Sequence, residues 1–185
     1  MLTLYCLRSG HIVEDRLEPG KPTPDGLIWA DLLDPSEEEK EAIQRLAGID
    51  VPAPEEMREI EPSSRLYRDG LSLFMTASVL NKTATPEPET RAITFVLSEG
   101  LLTTVRYCSP MPFDTYRARI RSQPSLCRSP EGALVELLDA IVDRIADTLE
   151  AVDYHVGELS KSIFSPADTR NTKTPTSRRP SRASG

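Results

Sequence analysis

A chain of 185 residues with 38% hydrophobic content can bury one core, so neither wholesale disorder nor a string of independent domains is expected. A formal net charge of −7 argues against nucleic acid as the main partner, because phosphate binding calls for basic surface. No stretch approaches the ~18–20 apolar residues that span a bilayer, and the opening MLTLYCLR is too short and interrupted for a signal peptide, so the chain reads as soluble.

In chain order, Leu2 to Leu7 reads as a strand and Leu27 to Leu33 (LIWADLL) as another, joined by a Pro/Gly-rich connection from Pro19 to Gly26. Trp29 alternates into the apolar side of its strand and is expected in the core. Asp34-Pro35-Ser36-Glu37-Glu38-Glu39 then opens a helix, with Asp34 as its cap, Pro35 at the first position and glutamates at the positive end of the macrodipole. Ala42, Ile43 and Leu46 form its buried stripe and Gly48 ends it. A proline-punctuated link, Val51 to Pro54, leads to a short helix holding Met57 and Ile60. Arg65 to Arg68 then meets Leu71 to Leu80 through Asp69-Gly70, and Ile93 to Ser98 meets Leu101 to Tyr107 through Glu99-Gly100; both read as hairpins. Between them, Asn81 to Thr90 reads as an exposed loop. Phe113, Tyr116 and Ile120 mark a further helix, whose outer side carries Arg117, Arg119 and Arg121; this is a solvated basic face or, alternatively, one that pairs with a neighbouring acidic surface. The fold class expected is α/β (α+β mixed), a mixed parallel and antiparallel sheet flanked by helices, with no internal repeat.

From Gly132 to Phe164 the apolar residues Leu134, Leu138, Ile141, Ile145, Leu149, Val152, Val156, Leu159 and Ile163 recur in steps of three and four. Their mean step is about 3.6 residues, the α-helical period, which predicts a helix of ~50 Å, longer than a core of this size needs. It reads as the start of a stalk. Residues 165–185 lack large apolar side chains and are rich in Ser, Thr, Pro and Arg, so they are expected to be disordered. That segment carries +4, which leaves residues 1–164 at −11, a body that attracts cations. Three parts follow: residues 1–130 as the α/β/α domain, 131–164 as the long helix and 165–185 as the tail.

Two groups of carboxylates stand out. EEMREIEPSSRLYRDG places Glu55, Glu56, Glu59 and Glu61 within seven residues, as an acid/base pair, a metal site or the wet face of a short helix. On the long helix, Glu136, Asp139, Asp143, Asp147, Glu150 and Asp153 fall on one face, roughly opposite the apolar one. Like charges four apart cost ~0.2–0.5 kcal/mol per pair, which a hard divalent cation holding its own waters would remove. The alternative is a solvated acidic face.

The ordered set IWADLLDPSEEEKEAIQRLAGID, EEMREIEPSSRLYRDGLSLFMTASVL, ITFVLSEGLLTTVRY and LLDAIVDRIADTLEAVDYHVGELSKSIF resembles the cytosolic domain of the CorA family of divalent-cation transporters, from about Leu2 to Phe164. The resemblance implies a funnel of α/β/α domains in a homopentamer on the cytoplasmic side of the membrane, continuing through a stalk helix into membrane spans with a Gly-Met-Asn pore motif. It further implies Mg²⁺ as the regulatory ligand, with Co²⁺ or Zn²⁺ as alternatives among relatives. Its regulatory carboxylates match Glu55 and Glu56 in the short acidic helix, and Asp139 and Asp143 in the run LLDAIVD. Glu56 stands where the family often has aspartate.

Gly-Met-Asn and both spans are absent from the sequence given, so the chain is expected to be a truncated CorA-like reading frame, with membrane contact only through the missing spans. The expected function is the metal-sensing cytosolic part of a transporter. The alternative is a free divalent-cation-binding or subunit-interaction module, acting alone or co-assembled with full-length subunits. An enzyme is not expected. The carboxylates lie on wet helix faces, where nothing separates their pKa values. Ser63-Ser64 lacks a histidine partner, and His155 falls off both stripes of its helix. Cys6, Cys108 and Cys127 contain no Cys-x-x-Cys pair, which suits a reducing compartment.

Overall fold

The computed structural model describes residues 1–17, 22–59, 65–81 and 89–164. Ile60, Glu61, Ser63-Ser64 and the tail from residue 165 lie outside them.

Seven strands form one mixed sheet. In chain order they are β1 (Leu2–Arg8), β2 (His11–Asp15), β3 (Leu27–Leu33), β4 (Leu66–Asp69), β5 (Ser72–Asn81), β6 (Glu89–Ser98) and β7 (Leu101–Arg106), with spatial order β2-β1-β3-β7-β6-β5-β4. Only β3 and β7 are parallel; every other neighbouring pair is antiparallel. The mixed α/β class expected from the pattern is the one observed.

Strand β2 has no counterpart among the elements expected from the sequence. Its exposed, polar alternation gives little apolar signal, and its partner register (Arg8 against His11, Leu4 against Asp15) is set by a tight Ser9-Gly10 turn with both residues at positive φ. The approach to β3 is equally tight. Gly26 sits at φ +74°, its carbonyl accepts from Leu7 N–H at 2.7 Å, and a Cβ there would meet the Leu7 carbonyl oxygen at 2.3 Å. Only glycine fits. The hairpin between β4 and β5 turns on Gly70-Leu71, one residue later than expected, because Asp69 still pairs with Ser72 and the positive φ falls on Gly70. β6 and β7 pair Ser98 with Leu101 across Glu99-Gly100, as the spacing predicts.

Among the described residues there are four α-helices, α1 (Glu37–Ala47), α2 (Pro54–Glu59), α3 (Met111–Ser122) and α4 (Pro130–Phe164), and a 3₁₀ turn at Pro124–Cys127. The cap of α1 is Ser36 rather than Asp34. Ser36 Oγ accepts from Glu39 N–H while Glu39 Oε2 accepts from Ser36 N–H, a closed capping box, and Asp34 lies before it at φ +44°. Glu39 also accepts from Leu2 N–H at 2.6 Å and pairs with the Met1 ammonium at 2.8 Å, which ties the helix start to β1. Burial acts to raise its carboxyl pKa, but these contacts outweigh it and hold the group below the ordinary value.

Pleat alternation divides the core between the two faces. On one, Leu4, Ala30, Leu32, Val96 and Val105 pack with Ile43 of α1 and Met57 of α2. On the other, Tyr5, Trp29, Phe95 and Leu102 pack with Phe113, Tyr116 and Ile120 of α3 and with Ala133, Leu134, Leu137 and Ile141 of α4. Trp29 is fully buried, stacked on Tyr5 with ring centroids 4.2 Å apart. The chain divides into two compact units, Met1–Leu149 and a second beginning at Glu150, so the division falls inside α4. Helix α4 itself is assigned without a break over 35 residues.

Candidate functional site

Glu55 and Glu56 occupy the first turn of α2, and both are exposed. With Ala53 preceding Pro54, Glu56 falls at the third helical position, and its Oε2 accepts from Ala53 N–H at 2.8 Å. The carboxylate therefore serves as half of a capping box for its own helix. Its second oxygen remains available on the wet side. Of Glu59 only the backbone is described, and Glu61 lies outside the described residues.

Asp139 and Asp143 are exposed on α4. The two pairs of carboxylates lie on opposite sides of the sheet, because Met57 anchors α2 to one face and Leu137, Ala133 and Ile141 anchor α4 to the other. The sheet keeps them apart within one chain. Among the described residues no group of three or more His, Cys, Asp or Glu side chains could hold a metal ion.

The arginines of α3 find partners inside the fold, and in acidic neighbours rather than open solvent. Arg121 Nη2 reaches Glu14 on β2 at 2.5 Å, Arg119 meets Glu136 on α4 at 3.1 Å, and Arg117 pairs with Asp114. Glu136 thereby leaves the free acidic face of α4. His155 is exposed, with Nδ1 2.6 Å from the Ala151 carbonyl oxygen of its own helix. The thiols of Cys6, Cys108 and Cys127 are buried and free, and burial pushes each pKa up, so they stay protonated at neutral pH and are poor nucleophiles.

A buried ion pair beside these elements escaped the sequence reading. Arg106 and Asp31, both at most 1% exposed, are joined by Nε to Oδ1 at 2.9 Å and Nη2 to Oδ2 at 2.7 Å. Thr104 Oγ1 donates to Asp31, accepts in turn from Trp29 Nε1 at 3.0 Å, and Arg106 Nη1 donates to the Cys108 carbonyl. The guanidinium carbon lies 4.6 Å from the Phe113 ring centroid. The signal was in the strands themselves, since Asp31 and Arg106 are inward positions of WADLL and TTVR that register brings diagonally together: Asp31 pairs with Thr104, and Arg106 is two residues further along the same face.

Helix α4 presents an unburied apolar seam. Leu134 and Ile141, members of the apolar series by period, are in the core, whereas Val135 and Val142 are 63% and 61% exposed. With those substitutions the series runs Val135, Leu138, Val142, Ile145, Leu149, Val152, Val156, Leu159, Ile163, strictly alternating three and four. That is a heptad of 3.5 residues per turn, the seam of a left-handed coiled coil. Leu138 and Ile145 are partly buried against the core, and from Leu149 onward every member is exposed. No helix among the described residues is long and apolar enough to cross a membrane.

Residues 24–176 match the sequence profile of the family described as CorA-like Mg²⁺ transporter protein. The chain belongs to the CorA family. It is 26% identical over 171 residues to the magnesium transport protein CorA of Wolinella succinogenes, covering 89% of this chain and 53% of that protein. With its Haemophilus influenzae counterpart the identity is 28% over 165 residues, covering 89% and 51%. The fold is similar to the complete CorA magnesium transporter of Methanocaldococcus jannaschii, at a TM-score of 0.66 and 15% identity over 91% of this chain and 53% of that one. The chain thus spans about half the length of the curated CorA relatives it matches.

Proposed function

We propose that the chain is the metal-sensing cytosolic portion of a CorA-type divalent-cation transport protein, in which Mg²⁺ bridges carboxylates of neighbouring copies. The observation that carries this reading is the placement of Glu55 and Glu56 on one side of the sheet and Asp139 and Asp143 on the other, all exposed. Opposite faces of one domain become adjacent faces when copies stand side by side in a ring. Exposed carboxylate oxygens suit Mg²⁺, which takes one or two protein ligands and keeps its waters. Co²⁺ and Zn²⁺ prefer sites with nitrogen or sulfur donors, and neither carboxylate pair supplies these.

The heptad on α4 supports self-association as the companion property. Its flanking e positions are Asp139, Ala146, Asp153 and Ser160, and its g positions from Thr148 are Thr148, His155 and Ser162. A parallel assembly sets e against g, so Asp153 faces Thr148. An antiparallel one sets e against e, which along the whole seam opposes Asp139 to Ser160 and Ala146 to Asp153, so neither orientation sets like charges together and the seam suits copies of this chain or longer subunits sharing the helix. The subunit-interaction reading rests on this seam alone and needs no metal. The catalytic reading finds no support in the protonated thiols and solvated carboxylates.

Sedimentation velocity with and without Mg²⁺ tests the proposal. Mg²⁺ is expected to shift the chain to a larger species, and the combination Glu56→Gln with Asp139→Asn to remove that shift; glutamine keeps an acceptor for Ala53 N–H while losing the charge. A metal response unchanged in this variant overturns the bridge. Self-association indifferent to Mg²⁺ favours the interaction module. Reconstituted alone, the chain is expected to move no Mg²⁺, because no described helix can cross the bilayer.

A further inference from the structure

The end of β7, on the side of its neighbours β6 and β5, offers a place of another kind. Just outside the end of β7 lies a cavity of about 500 Å³, within the range of small-molecule sites. Its floor is apolar, formed by Met57, Ala92 and the ring of Tyr107, which is fixed by a hydrogen bond from its hydroxyl to the Pro52 carbonyl at 2.9 Å. Among the described residues its polar side carries Arg58, Glu89, Arg91 and Asn81.

Asn81 is nine-tenths buried at the end of β5 and lines the cavity, where its amide can hydrogen-bond a ligand oxygen. Arg91 is held by Glu89 at 2.6 Å, so its charge is balanced, whereas Arg58 forms no ion pair with a described residue. Among its described residues the lining therefore has one guanidinium in excess. Beyond it, the Lys40 ammonium and the carboxylates of Glu37, Glu55 and Asp34 all reach Tyr107, whose hydroxyl pKa is raised chiefly by burial, with Lys40 acting to lower it and the carboxylates to raise it. A single negative charge on an apolar body meets the excess guanidinium, the amide and the floor together.

We propose that this cavity binds a small organic monocarboxylate, its carboxylate facing Arg58 and the Asn81 amide and its apolar body lying on Met57, Ala92 and Tyr107. The site is separate from the exposed carboxylates proposed to bridge Mg²⁺ and needs no metal. Benzoate is the probe, with benzyl alcohol and benzylamine as uncharged and cationic controls, titrated calorimetrically into the full chain without Mg²⁺. Benzoate is expected to bind at least about tenfold more tightly than either control, the worth of one charge-assisted contact. Arg58→Ala should erase that preference and Asn81→Leu should weaken benzoate by a similar factor, while Arg45→Ala on α1 should change nothing. Equal binding of the three probes, no benzoate binding up to ~10 mM, or a preference that survives Arg58→Ala overturns the proposal. If Asn81→Leu does not fold, the exposed Arg58 decides the question alone.

Discussion

Asp31 and Arg106 bind each other with two hydrogen bonds in the middle of a hydrophobic face, and each is worth keeping only while the other is present. Removing one partner leaves an uncompensated buried charge. Arg106→Met is expected to cost about 3–5 kcal/mol in urea denaturation, and adding Asp31→Leu to it should restore part of that loss. Glu39 acts at the surface by a different route. Its folded-state carboxyl titrates below its unfolded value of ~4.3, so its contribution is present above that pH and is lost as pH falls through the lower folded value. The wild-type chain should therefore lose stability on acidification through that window more steeply than Glu39→Gln, as read from urea midpoints at pH 6 and at pH 3.5. Tyr5 shows the opposite trend, with burial and then Asp31 pushing its hydroxyl up to about 12. Of these residues, only Glu39 announced its role in the sequence, through Ser36 three positions before it.

Among the elements, α4 combines two demands on one helix. Leu134, Leu137 and Ile141 answer the core, while Val135, Val142 and Leu149 continue a seam the core leaves open. The two series differ by one residue in each of the first two heptads, so an average period over the whole segment blurs them. Their separation gives a sharp test. Val156→Asp lies among exposed residues and is expected to abolish self-association in sedimentation velocity while leaving the urea midpoint of the folded core within about 0.5 kcal/mol of wild type. Leu137→Asp, by contrast, puts a charge in a fully buried position and should prevent folding. Strand β2 and the one-residue shift of the Gly70 turn show the other side of local reading. Short polar edge strands carry almost no apolar period, and a glycine in a tight turn fixes the bend only to within a residue.

At the scale of the molecule, the sheet acts as a partition. It puts α1 and α2 on one side and α3 with the core-packed part of α4 on the other, so among the described residues Glu55 and Glu56 do not meet Asp139 and Asp143 within one copy. Any shared cation must then be held between copies, which makes the proposed metal response a property of assembly. Its dependence on protein concentration as well as on Mg²⁺ is the expected signature, whereas a site inside one chain would bind at any dilution.

The sequence by itself determined the mixed α/β class, the hairpins, the long helix and the membership of the CorA family, because each is written in local periodicity, turn chemistry or the order of short motifs. Tertiary structure alone decided three matters: that Asp31 finds Arg106, that Arg121 and Arg119 of α3 are spent on Glu14 and Glu136, and that one apolar series of α4 is buried while its neighbour is left open. Each depends on which face of the sheet a residue meets, and that is fixed by strand register and the handing of helices to one side or the other, long-range facts to which no local period is sensitive.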